Sequence, residues 1–122
     1  GAEVSTDKVA AAQLSPLHRL GRLQSPLMLV HGEQDPRVPR SHGDAVRDAA
    51  RDLGLTGVHL TYAREGHSIR RERNVLHLWS AVEIFLCQCL QLPPPPPLEC
   101  SVEGHTATLH WENGFPRIAA GM

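Results

Sequence analysis

Two short stretches carry the chemistry that this 122-residue sequence can offer: His31-Gly32-Glu33-Gln34-Asp35-Pro36-Arg37-Val38-Pro39 and Glu65-Gly66-His67. Asp35 stands five residues after Val30 and His67 five residues after Tyr62, and each of those residues closes a short run suited to a β-strand. A carboxylate that accepts an imidazole Nδ1–H fixes the tautomer of the ring and stabilises the imidazolium as it forms. The other ring nitrogen is then free to take a proton from a nucleophile and return it to a leaving group. Asp35 and His67 are therefore the candidate acid and base of a nucleophilic relay. A nucleophile of the Gly-x-Ser-x-Gly type is missing. Ser5, Ser15, Ser25, Ser41, Ser80 and Ser101 lack the flanking glycines, and in Gly66-His67-Ser68 the place of the second glycine is taken by Arg70.

The surrounding elements must bring the two residues together. Ser25-Pro26 opens the run Leu27-Met28-Leu29-Val30, which is apolar on both faces, as a buried parallel strand requires. Ser41 is placed as an N-cap with Asp44 three residues later. Ala45, Val46, Ala49, Ala50 and Leu53 then recur at helical spacing, and Gly54 follows as the C′ glycine. Val58 to Tyr62 alternates and is rich in β-formers, so it reads as the next strand. After a loop over 63–73, a second helix is expected from Asn74 to Leu90. Val75, Leu78, Trp79, Val82, Phe85, Leu86 and Leu90 lie on one side of it as core.

Strand, helix, strand, helix is the pattern of a parallel βαβα unit with a right-handed crossover. The loops at the carboxyl ends of such strands gather on one rim, which places Asp35 and His67 in adjacent or near-adjacent loops. Two strands make no stable open sheet, so neighbouring strands are expected from upstream sequence. The domain reading is a partly helical lead-in over 1–24, an α/β unit over 25–91, and a proline-rich linker and tail over 92–122. Pro93 to Pro97 stop the helix and impose polyproline II. The alternating stretch from Cys100 to Trp111 is expected to be loosely structured or a lone hairpin, which is marginal in water.

Composition excludes several classes. Hydrophobic residues make up 41% and charged residues 20%, with a net charge of −1, the balance of an ordinary globular domain. The densest basic stretch, Arg64 with Arg70, Arg71 and Arg73, is broken by Glu65 and Glu72, so no footprint for nucleic acid or an anionic membrane is expected. No apolar run reaches the ~20 residues of a membrane span. Three cysteines, an odd number, do not read as a disulfide framework and suggest a reducing, cytoplasmic setting. Cys87 and Cys89 project to nearly opposite sides of a helix, and His18, His42, His59, His77, His105 and His110 show no ligand spacing. No metal and no cofactor are expected. His31 is assigned to ending its strand and packing under the acid loop, and Arg37 and Glu65 to the surface.

Taken together, several stretches resemble the C-terminal end of a prolyl oligopeptidase-family catalytic domain, of the acylaminoacyl-peptidase and dipeptidyl-peptidase kind. They are Ser15-Pro16-Leu17, Pro26 to Val30, the string from His31 to Pro39, and Glu65-Gly66-His67 with Arg70, Asn74, Trp79 and Phe85-Leu86. The resemblance spans residues 13–90. It implies an α/β-hydrolase fold, in which nucleophile, acid and His follow one another along the chain. It further implies Asp35 as triad acid, His67 as triad base, no metal, and hydrolysis of peptide bonds near the N-termini of short peptides. A β-propeller often precedes this domain in the family. On that implication the chain is a C-terminal fragment whose serine lies upstream, and alone it has no acyl-enzyme chemistry. Three features depart from the pattern: the nucleophile elbow and oxyanion-hole elements are absent, Ser68 follows the His where glycine is common, and the proline-rich end is foreign. The alternative reading is a non-catalytic, truncated or diverged α/β-hydrolase piece acting through association. In that case Pro93 to Pro97 would be offered to an SH3- or WW-like domain.

Overall fold

The computed structural model describes residues 19–95 and 102–122. Expectations for Ser15-Pro16-Leu17, for most of the 1–24 lead-in, and for Pro96 and Pro97 lie outside the described residues. After a single 3₁₀ turn (Leu20–Arg22) come β1 (Leu27–Gly32), α1 (Arg40–Asp52), β2 (Gly57–Tyr62), α2 (Glu72–Cys89), β3 (Ala107–Asn113) and α3 (Pro116–Ala120). β1 and β2 run parallel, from Leu27 opposite Gly57 to Gly32 opposite Tyr62. β3 pairs antiparallel with the other edge of β2, so the sheet order is β1-β2-β3 and the sheet is mixed.

The central position of β2 explains its composition. All six of its residues are buried, and strand alternation sends them to two different interiors. Val58, Leu60 and Tyr62 join Ala81 of α2 and Phe115 and Ile118 of the terminal segment in one core. His59 and Thr61 face the α1 layer, where Leu20, Ala50 and Trp111 form a second cluster. Covering both faces of β2 with helices is the arrangement that a strand buried on both sides requires.

α1 starts two residues earlier than the Ser41 cap would place it. Pro39 holds the N-cap position with extended backbone and no side-chain cap, and Asp44 is spent instead on Arg47, at 3.1 Å. The other end is as expected. Gly54 adopts φ +70°, Gly54 N–H donates to Arg51 O and Leu55 N–H to Ala50 O, both at 3.0 Å. That pair of bonds is a Schellman termination, in which glycine meets the left-handed conformation without a Cβ penalty.

α2 begins at Glu72, and its inward stripe is rotated from the expected one. Asn74, His77 and Ala81 are its buried residues, whereas Trp79 is 66% exposed and Leu86 and Leu90 are also exposed. The polar pair turns inward because each finds a buried partner, described below. The loosely structured tail is corrected for residues 102–122. The alternating stretch forms no hairpin of its own but adds to the ready edge of β2, and Phe115 and Ile118 beyond it are 1% and 2% exposed. The pairing slips between His59 and Leu60, which face Trp111 and Leu109 respectively. His110 is thus the extra residue of a bulge, and the bulge aims its ring at Thr61.

Candidate active site

The two signposts meet at the carboxyl edge of the parallel pair, and Gly32 is what allows them to meet. A Cβ at Gly32 would overlap the carbonyl oxygen of Gly66 and lie 2.7 Å from that of Glu65. With hydrogen there, the loop after β2 passes directly over the end of β1. Two backbone bonds then knit the loops: Glu33 N–H donates to Tyr62 O at 3.0 Å and Gln34 N–H to Glu65 O at 2.8 Å.

One residue further, Asp35 divides its carboxylate between two tasks. Oδ1 accepts the amides of Arg37 (2.8 Å) and Val38 (3.1 Å), which folds the Pro36 turn around it. Oδ2 accepts Nδ1–H of His67 at 2.9 Å. The Asp35 side chain is 6% exposed and the His67 ring 50%. Burial acts to raise the Asp35 pKa, but the two amides and then the His67 ring outweigh it and hold the carboxyl down to about 2. The carboxylate is therefore ionised across the neutral range, and the bond it accepts fixes His67 as the Nδ1–H tautomer when the ring is neutral. Nε2 is left as the basic nitrogen. The half-exposed ring lines a shallow cavity of about 220 Å³ with Asp35, Val30, His31, Val38 and Ile69. His31 sits beneath this turn, with Nε2 2.8 Å from Val38 O and 3.7 Å from Asp35 Oδ2, so it braces the acid loop.

Behind His67 lies a buried polar network that the sequence did not announce. Glu65, read as a surface residue, is 3% exposed. Its Oε1 accepts Arg70 N–H at 3.0 Å, and its Oε2 accepts Arg71 N–H at 3.1 Å and the Asn74 amide at 2.8 Å. Burial opposes ionisation, yet these donors and the charge of Arg71 hold the Glu65 carboxyl below its usual range. The carboxylate thus folds the loop over 65–71 back on itself and receives the start of α2. Asn74, 1% exposed, reaches on to β3: its Oδ1 accepts Thr106 N–H at 2.7 Å and its Nδ2 donates to Thr106 Oγ1 at 2.9 Å. On the α1 face, Thr61 Oγ1 donates to Glu33 Oε1 at 3.0 Å and lies 2.6 Å from His110 Nε2, which in turn is 3.5 Å from Arg40 Nη2.

Four of the remaining histidines lie in two pairs. His77 Nδ1 lies 2.8 Å from the Tyr62 hydroxyl, and its ring centroid is 4.2 Å from that of His105. His59 packs 5.0 Å from His110, and neither of its ring nitrogens has a hydrogen-bond partner among the described residues. Among the described residues no group of three or more His, Cys, Asp or Glu side chains is arranged to hold a metal ion. No described helix is long and apolar enough to cross a membrane.

An ionised, amide-anchored carboxylate on the Nδ1 side of a half-exposed histidine, both after parallel strands, can orient the ring and leave Nε2 free to exchange a proton. The comparisons with known proteins bear on the fold and the family. Dipeptidyl peptidase family member 6 of Caenorhabditis elegans is 32% identical over 92 residues, covering 74% of this chain and 12% of the relative. Dipeptidyl aminopeptidase BIII of Pseudoxanthomonas mexicana is 32% identical over 76 residues, covering 62% of this chain and 11% of the relative. The chain therefore spans about an eighth or less of the length of these relatives. Among solved structures, a puromycin-hydrolyzing peptidase of Mycobacterium tuberculosis superposes with a TM-score of 0.64 at 29% identity, over 67% of this chain and 12% of that one. The fold is thus part of an α/β hydrolase. With the sequence pattern of the prolyl oligopeptidase family matching residues 3–93, this chain belongs to that family.

Proposed function

We propose that this chain supplies the acid and the base of a serine-peptidase relay whose nucleophile comes from sequence outside it. The observation that carries the reading is the 2.9 Å bond from His67 Nδ1 to Asp35 Oδ2 at the rim of the sheet. His67 Nε2 takes the proton of a serine hydroxyl as its oxygen attacks a peptide carbonyl, and Asp35 stabilises the imidazolium. The same proton then passes to the departing amine. Water repeats the sequence on the acyl-enzyme, with His67 again as base. The relatives' dipeptidyl-peptidase names support a peptide substrate cut near its N-terminus.

Two measurements test this. The 122-residue chain treated with a fluorophosphonate is expected to show no stoichiometric serine adduct, and such an adduct would overturn the assignment of the nucleophile to other sequence. In a polypeptide joining this segment to a nucleophile-bearing upstream half, Asp35→Asn is expected to lower kcat about 10⁴-fold. In the same polypeptide His67→Ala is expected to lower it about 10⁶-fold. Turnover within tenfold of the parent in either variant would end the relay reading. Nothing among the described residues favours the proline-ligand alternative: Pro95 O is engaged by Arg117 Nη2 at 2.8 Å.

A further inference from the structure

We infer that Thr106, on the approach to β3 and outside the matched residues 3–93, is a positioning residue for the relay histidine. The inference rests on the reading of Asp35 and His67 as the relay pair. Thr106 turns its backbone N–H, its carbonyl and its hydroxyl to the two ends of the His67 loop. At the start of the loop, Thr106 O accepts Ala63 N–H at 3.1 Å and the Thr106 hydroxyl donates to Ala63 O at 2.6 Å. At its far end, Thr106 N–H donates to Asn74 Oδ1 at 2.7 Å and the same hydroxyl oxygen accepts Asn74 Nδ2–H at 2.9 Å. Residues 63 and 74 are thereby stapled to one point just before β3.

The staple continues toward the chemistry. The second hydrogen of the Asn74 amide goes to Glu65 Oε2 at 2.8 Å, and Glu65 O accepts Gln34 N–H at 2.8 Å beside Asp35. Glu65 stands two residues before His67. The orientation of the Asn74 amide is forced, because only its NH₂ can face a carboxylate while its oxygen faces the Thr106 N–H. Arg64, at φ 63°, begins the loop in a conformation that a side chain rarely adopts, so the loop depends on outside bonds to keep its shape. Thr106 thus closes the loop at both ends.

Nuclear magnetic resonance of ¹⁵N-histidine-labelled 122-residue chain tests the assignment through the His67 ring, whose Nδ1–H is the proton given to Asp35. Thr106→Val is expected to speed exchange of that proton about fivefold, the size of one net hydrogen bond, and to raise the Nε2–H tautomer. Thr106→Ser should restore both, and Thr108→Val, two residues on in β3, should leave both unchanged. If Thr106→Val loses β3 altogether, Asn74→Ala keeps the strand pairing and reads the same exchange. Parental exchange and tautomer in whichever variant retains β3 overturn the inference. Asp35→Asn separates the two ideas: if it leaves the His67 signals untouched, the relay pair itself fails. If it moves them while the Thr106 variants do not, only the staple fails.

Discussion

Gly32 ends β1 at the point where the loop carrying His67 crosses the loop carrying Asp35, and the crossing is backbone against backbone. The atoms a Cβ would strike are the carbonyl groups of Glu65 and Gly66, which cannot rotate away as a flexible side chain could. Gly32→Ala must therefore separate the loops, stretching the 2.8 Å Gln34–Glu65 bond and the 2.9 Å Asp35–His67 bond together. The expected cost is about 1–3 kcal/mol of stability. Because a displacement of ~1 Å in a catalytic group costs on the order of 10²-fold in rate, the joined polypeptide should lose at least that much kcat. Gly66→Ala is the matched comparison, since a Cβ there meets nothing within 4 Å. It should change urea midpoint and kcat little. Equal damage from both glycines would show that close approach at Gly32 is not what sets the pair. The spacing of Asp35 and His67 behind their strands was readable in the sequence because strand, loop and residue are consecutive. The Glu65–Asn74–Thr106 network was not, because Thr106 lies 32 residues from Asn74 in a stretch without a motif. A carboxylate cannot be told to be buried until the amides that satisfy it are known.

At the scale of elements, β1, α1, β2 and α2 were legible from periodicity and from Gly54, and β3 and α3 were not. A strand that forms no hairpin of its own looks marginal in isolation; it becomes stable on an edge that already exists, and that edge belongs to β2. The rotated face of α2 has a related cause. Apolar periodicity placed Trp79 and Leu86 inside, but the buried positions went to Asn74 and His77, whose partners are Glu65, Thr106 and Tyr62. Phe115 measures how much of the fold rests on the terminal segment. Its ring is 1% exposed and stacks on Phe85 with centroids 4.8 Å apart, sealing the core of Val58, Leu60 and Tyr62. Phe115→Ala is expected to cost about 3–5 kcal/mol, read as a lower urea midpoint of the cooperative transition that reports α2. A segment merely resting on the sheet would cost under about 1 kcal/mol and leave that transition in place.

Across the whole molecule the two faces of the sheet share one weakness, protonation. His59 on the α1 face is lowered from 6.5 to about 4, first by burial and then by the nearby charges of His110 and Arg47. His77 on the α2 face is lowered from 6.5 to about 4 by burial and by His105. Between those two values the unfolded chain binds protons that the folded chain refuses, so stability rises with pH in that window and is lost as pH falls through it. Asp35 and Glu65 act with the same sign at lower pH, because their carboxyls are held below their ordinary values in the fold and protonation there favours unfolding. Each histidine should withdraw about 2 kcal/mol between pH 7.5 and pH 5, seen as a steep fall in Tm. His59 separates this linkage from general acid sensitivity. Neither of its nitrogens has a hydrogen-bond partner among the described residues, so His59→Leu removes a buried polar group without orphaning another. The variant should match or exceed the parent at pH 7.5 and surpass it at pH 5, flattening the slope of stability against pH by about half. An unchanged slope in His59→Leu would mean that His59 is not a source of the acid sensitivity, which then originates in His77 or in the carboxylates of the loops.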